Sequence, residues 1–99
     1  MNTSSIRIIG GRHKSYRIVF KATPALRPTT DRAKETLFSW LQFELENKSC
    51  LDLFAGTGGL GLEALSRGAQ HVTFVEREKS LYKNIIKNIS HLSYENKIQ

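Results

Sequence analysis

Apolar and polar positions alternate over residues 6 to 9 and 15 to 21, with Ile6, Ile8, Tyr16, Ile18 and Phe20 on one side and Arg7, Arg17 and Lys21 largely on the other. A period of two is that of a half-buried strand. The intervening Gly10-Gly11-Arg12-His13-Lys14 is turn chemistry, so the two runs predict a β-hairpin with a cationic outer face and a tip of Arg12, His13 and Lys14. Pro24 and Pro28 keep residues 22 to 28 out of helix and central strand. The period then lengthens. Ala33, Leu37, Trp40 and Leu41 recur at helical spacing, and Thr29 or Thr30 is placed to cap a helix through about residue 44, with Trp40 in its core face.

Residues 50 to 54 form a short apolar run that enters a glycine-rich turn and then a helical run, Leu60 to Ser66, whose Leu60, Ala64 and Leu65 share one side. Gly68 is positioned to end that helix in a left-handed cap. His71 to Val75 reads as a second apolar strand. A last helix from Glu78 to about Ser90 shows Leu81, Ile85, Ile89 and Leu92 at spacings of four, four and three, which is a core stripe. Residues 91 to 99 are polar and expected to fray. The pattern predicts a β-α-β unit behind a hairpin, an α/β chain.

The stretch with chemistry in it is Leu51-Asp52-Leu53-Phe54-Ala55-Gly56-Thr57-Gly58-Gly59-Leu60-Gly61. Its glycines satisfy G-x-G-x-x-G between a strand and a helix, the context in which that spacing cradles a nucleotide-like ligand. Gly56 supplies the positive φ of a tight turn, Gly58 an open main chain for a ligand to lie against, and Gly61 a close approach of helix to strand. About twenty residues on, Glu76 ends the second strand where a carboxylate takes ribose hydroxyls. The alternative is a plain turn with Glu76 solvated. Asp52 does nothing for an anionic pyrophosphate but attracts the amino group and sulfonium of S-adenosylmethionine, which tilts the choice toward a methyl donor. It can equally hydrogen-bond loop amides.

Ninety-nine residues allow one small domain that buries about two-thirds of its unfolded surface. Cys50 is the lone cysteine, so no internal disulfide forms and a reducing cytoplasm is the expected compartment. No apolar run approaches a membrane span, and Met1 to Ser5 lack a signal core. Three scattered histidines and one cysteine give no metal-ligand spacing, no Ser-His-Asp or Cys-His set stands out, and Leu62 after Gly61 rules out a Walker-type loop. The charge of +6 is uneven. Residues 1 to 34 carry eight Lys and Arg against Asp31 alone, whereas residues 35 to 99 carry seven against eight acids. Phosphate binding explains such a surplus, as does a solubilising face. The candidates for such contacts, those an RNA-binding surface would use, are Arg7, Arg12, Lys14, Arg17 and Arg27, and His13 either stacks on a base, touches phosphate or is an ordinary surface histidine.

Arg27-Pro28-Thr29-Thr30-Asp31-Arg32-Ala33-Lys34-Glu35-Thr36-Leu37-Phe38-Ser39-Trp40-Leu41, then Leu51 to Gly61, then Leu62-Glu63-Ala64-Leu65-Ser66-Arg67-Gly68-Ala69, resembles the bacterial 16S rRNA guanine-N2 methyltransferase family, as does Ile6-Arg7-Ile8-Ile9-Gly10-Gly11-Arg12. The resemblance covers residues 6 to about 90. It implies the N-terminal half of a class I, Rossmann-like methyltransferase, with residues 1–28 as a basic hairpin and loop extension and 29–99 as a truncated methyltransferase domain. It further implies S-adenosylmethionine held near Asp52, Ala55, Gly56, Gly58 and Glu76, with 16S rRNA or the assembling 30S subunit as partner. Thr29, Thr30 and Arg32 then contact ligand or RNA, or simply start a helix. The family's Asp/Asn-Pro-Pro-aromatic motif is missing, since Pro24 and Pro28 are the only prolines. The catalytic residues are therefore unassigned, and a non-catalytic RNA-binding remnant or a dinucleotide-dependent oxidoreductase piece remain as other readings. With the rest of the sheet absent, Leu51 and Leu53 are expected to face a half-built core.

Overall fold

The computed structural model describes residues 3–21, 30–53 and 55–92. Arg27, the expected loop at 22–28 and the tail beyond Leu92 lie outside them.

The chain order is β1 (Thr3–Arg7), β2 (Arg17–Lys21), α1 (Asp31–Trp40), β3 (Ser49–Leu53), α2 (Gly59–Ser66), β4 (His71–Val75) and α3 (Lys79–His91). β1 and β2 pair antiparallel, Arg7 opposite Arg17 and Thr3 opposite Lys21. Residues opposite each other share a face, so Arg7, Arg17 and Lys21 stand outward while Ile18 and Phe20 are buried. The expected hairpin and its cationic face are both there. β3 and β4 pair in parallel from Ser49 opposite His71 to Leu53 opposite Val75, joined through α2. This is the expected β-α-β unit, and the whole is α/β.

The two sheets share one core. Ile8 and Ile18 from the hairpin meet Leu62 and Leu65 of α2, Val72 of β4 and Ile85 and Ile89 of α3 in a single buried cluster. Leu81, half buried, and Leu92, buried, continue the expected stripe of α3. α2 is buried on nearly every side, from Gly61 through Ser66. Gly61 explains how it can lie so close. A Cβ there would overlap the Phe74 ring and sit 3.0 Å from Val72 Cγ1. Overpacking of this kind costs about 1–3 kcal/mol, so Gly61→Ala is expected to lower the unfolding free energy from urea titration by that amount, and an unchanged midpoint would contradict the packing.

Two expectations for α1 are corrected. It ends at Trp40 in turns through residue 44, and Trp40 is 75% exposed. The buried positions are Lys34 and Phe38, with Leu37 and Leu41 half covered and Ala33 exposed. The cause is tertiary. Lys34 is drawn into a buried ion pair and Phe38 lies under the Arg67 guanidinium, 5.1 Å from its ring centroid. At about 100° per residue, Trp40 then falls roughly 240° round from Lys34. Thr30 is the cap, its Oγ1 accepting from the Ala33 amide at 3.2 Å.

In β3, Cys50 and Asp52 are half buried and alternate with Leu51 and Leu53, which are 64% and 55% exposed. As expected, this second face of the sheet lacks cover among the described residues.

Candidate functional site

β3 delivers its backbone into a turn in which Gly56 and Gly58 both have positive φ, +58° and +81°. Side chains rarely adopt that conformation, which is why glycine stands at both. Gly58 caps α2, and the turn is closed by the Gly58 amide donating to the Ala55 carbonyl at 2.8 Å. The Ala55 amide donates to the Val75 carbonyl at 2.8 Å, fastening the loop to the end of β4. Thr57 is buried and accepts from the Gly59 amide through Oγ1. The reason assigned to Gly58 changes. A Cβ there would point at α3, 3.0 Å from Ile85 Cγ1, so a side chain at this position disturbs the packing of that helix.

Two carboxylates converge on this loop. Asp52 Oδ2 accepts from the Gly61 amide at 3.0 Å. Glu76 Oε1 accepts from the Gly56 amide at 2.7 Å, and its Oε2 from the Glu78 amide at 2.7 Å. Burial pushes the Asp52 carboxyl up to about 6; the Gly61 amide opposes the rise and the Glu76 charge adds to it. The reading of Asp52 as the partner of a main-chain amide is met at Gly61, and that bond uses one carboxylate oxygen, Oδ2. Asp52, Ala55, Gly56, Gly58 and Glu76 are brought together. An acidic rim of this kind repels a pyrophosphate and suits a cationic ligand with vicinal hydroxyls.

The hairpin lies along α2. A Cβ on Gly59 would meet Ile6 Cδ1 at 2.6 Å at the start of that helix, while the Arg12 amide donates to the Ser66 carbonyl at 2.7 Å at its end. The tip is therefore docked and not free, and it sits about 12 Å, the length of α2, from the glycine loop. Arg12 and Lys14 expose their side chains there; Arg7 and Arg17 stand nearer the loop. Arg7 Nε donates to Asp31 Oδ2 at 3.2 Å, and Arg17 donates to Ser5 Oγ at 3.3 Å. His13 is half buried, its amide bonded to Ser66 Oγ, and burial followed by the Arg12 charge lowers its pKa.

What docks the tip is a residue that the sequence reading passed over. Glu63 is fully buried, and its two oxygens accept from the amides of Ile9 and Gly10, each at 2.9 Å, and from Arg67 Nε at 2.8 Å. Lys34, also fully buried, sits 3.7 Å from Glu63 and donates to the Arg7 carbonyl at 2.6 Å. Ser66 adds a bond to the Gly10 carbonyl at 2.7 Å. The visible signal was the i,i+4 spacing of Glu63 and Arg67 inside an otherwise apolar helix. Lys34 leaves the surface charge of the N-terminal third accordingly.

Among the described residues no group of acidic, histidine or cysteine side chains is arranged to hold a metal, and no helix is long and apolar enough to cross a membrane.

The family model of conserved hypothetical protein 95 matches residues 6–99. Ribosomal RNA small subunit methyltransferase D of Escherichia coli K12 is 47% identical over 90 residues, 91% of this chain and 46% of that protein. The protein of the same name from Buchnera aphidicola subsp. Acyrthosiphon pisum is 48% identical over 93 residues, 94% and 49% of the two. Among solved structures, an Escherichia coli protein provisionally described as the methyltransferase yhhF superposes with a TM-score of 0.87 at 40% identity, over 97% of this chain and 51% of that one. The chain spans about half the length of the curated relatives it matches.

Proposed function

The chain belongs to the conserved hypothetical protein 95 family, and from that premise we propose that it forms the donor-binding and RNA-gripping half of an S-adenosylmethionine-dependent 16S rRNA guanine-N2 methyltransferase. One observation carries the reading: from two adjacent parallel strands, Asp52 bonds the first turn of α2 and Glu76 the glycine turn that leads into it, bringing two carboxylates to one strand-to-helix junction. The residues fit this donor by charge, with Asp52 toward its ammonium and sulfonium, Glu76 toward its ribose, and the main chain of Ala55 to Gly58 beneath it.

When bound, the donor supplies an electrophilic methyl group for transfer to an exocyclic amine. The part of this chain is positioning, which dominates such chemistry. Asp52 orients the charged end, Glu76 keeps the loop shaped through the Gly56 amide, and the cationic outer face of β1 and β2 draws in RNA backbone. A base must leave its stack to be reached. With no Asp/Asn-Pro-Pro-aromatic clamp in these 99 residues, the chain alone is expected to bind without appreciable turnover, in a cytoplasmic setting with 16S rRNA or the assembling small subunit.

Titration calorimetry with S-adenosylmethionine and with NAD tests this. Binding of the methyl donor at least about tenfold tighter than NAD is expected from the acidic rim. NAD binding equal or better, or RNA binding with no donor binding at all, would return the oxidoreductase or the RNA-binding remnant to first place.

A further inference from the structure

We infer that the exposed lysines of α3, Lys83 and Lys87, belong to the RNA-binding surface and continue it from the hairpin toward the glycine loop; this rests on the RNA reading just given. The geometry begins with β2. Asn84 Nδ2 donates to the Val19 carbonyl at 3.0 Å, and Tyr16 donates to Asn88 Oδ1 at 2.7 Å, so α3 runs alongside β2. One residue from Asn84, Ile85 meets Gly58 of the loop. α3 therefore touches both the hairpin and the loop. Lys87 lies about 60° round the helix from Asn84 and Lys83 about 100°, both exposed and away from the buried Ile85 and Ile89.

The helix is poorly arranged for its own stability. Lys79, Lys83 and Lys87 repeat at i, i+4 and i+8, so like charges are stacked, and residues 79 to 91 contain no acid to answer them. Lys79 occupies the first turn, where a carboxylate is favoured; the acid nearest it is Glu78 at the N-cap, one residue outside the helix. Arg17 repeats the pattern next door, directly opposite Arg7. Among the described residues none of Arg17, Lys21, Lys79, Lys83 or Lys87 takes part in an ion pair. Local rules broken together along one surface mark a surface made for something else, and a polyphosphate strand supplies the missing negative charge.

The test is equilibrium binding of the 99-residue chain to a 16S rRNA transcript between 50 and 200 mM salt. K83Q/K87Q is expected to weaken binding about tenfold at the lower salt and to flatten the log–log salt slope by roughly 1.4 to 1.8, two phosphate contacts' worth. Exposed Lys→Gln changes leave the fold intact, which circular dichroism checks. Lys48→Gln, in the turn before β3, should change neither quantity. Parent-like affinity and slope for K83Q/K87Q overturn the inference, as does a loss confined to anionic lipid vesicles. If R17Q/K21Q also binds like the parent, or the parent binds no RNA, it is the underlying RNA reading that fails.

Discussion

Glu63→Ala is expected to remove about 3–5 kcal/mol of stability, the range for breaking one partner out of a buried ion pair. The substitution leaves Lys34 charged and fully buried, with only the half-exposed Asp31 at 4.0 Å and the Arg7 carbonyl to answer it. It also strips the acceptor from the part-buried amides of Ile9 and Gly10, each adding at most about 1–3 kcal/mol, the cost of a fully buried donor left unsatisfied. Against a typical total of about 5–15 kcal/mol, that is enough to abolish cooperative folding or to release the hairpin. Urea unfolding measures the first and amide exchange at Ile9 and Gly10 the second. Lys34→Met combined with Glu63→Leu should recover most of the loss, because an apolar pair of similar size replaces the ions. An unfolding free energy for Glu63→Ala within about 1 kcal/mol of the parent, with both amides still protected, would show that the carboxylate does not hold the hairpin.

That clamp also marks the boundary of what the sequence could disclose. The strand, glycine turn, helix and second strand were legible because each rests on local rules: period two, period 3.6, and positive φ at Gly56 and Gly68. The helix phase of α1 was not. Residues 33, 37, 40 and 41 fit helical spacing as well as 34, 38 and 41 do, and hydrophobicity favours the first set. The choice was made by Glu63, some thirty residues away, pulling Lys34 inward. Lysine and glutamate read as surface residues, so a buried pair of them is invisible until the fold unites them. The same carboxylate docks the hairpin tip, which is why a turn that looked free is held at the far end of α2. Net charge misled in a related way. Residues 35 to 99 sum close to zero, yet their lysines on α3 and their carboxylates at the loop occupy different surfaces. Asp52, by contrast, was legible, since a carboxylate placed inside an apolar strand already conflicts with its neighbours.

Asp52→Asn is expected to weaken S-adenosylmethionine binding by about 30-fold, near 2 kcal/mol, while making the free chain more stable. The two effects share one cause. Burial and the Glu76 charge hold the Asp52 carboxyl up to about 6, so its ionised form is disfavoured in the free fold. Between its ordinary value near 3.8 and 6 the folded chain binds more protons than the unfolded one, and stability falls as pH rises through that window. At pH 7 the ionised carboxylate remains a burden that asparagine removes, raising stability by ~1 kcal/mol after solvent screening and Tm by about 4–8 °C. A cationic ligand needs the ionised form. Parent affinity should therefore be constant above pH 7 and drop by up to about tenfold per pH unit below 6 until it levels off near that of the Asn variant, with proton release on binding near pH 6. The Asn variant should show a flat profile at the weaker level. Calorimetry in two buffers of different ionisation enthalpy reads both quantities. A parent profile that stays flat down to pH 5, or an Asn variant that binds as tightly as the parent, would separate Asp52 from the ligand and leave it as a partner of the Gly61 amide alone.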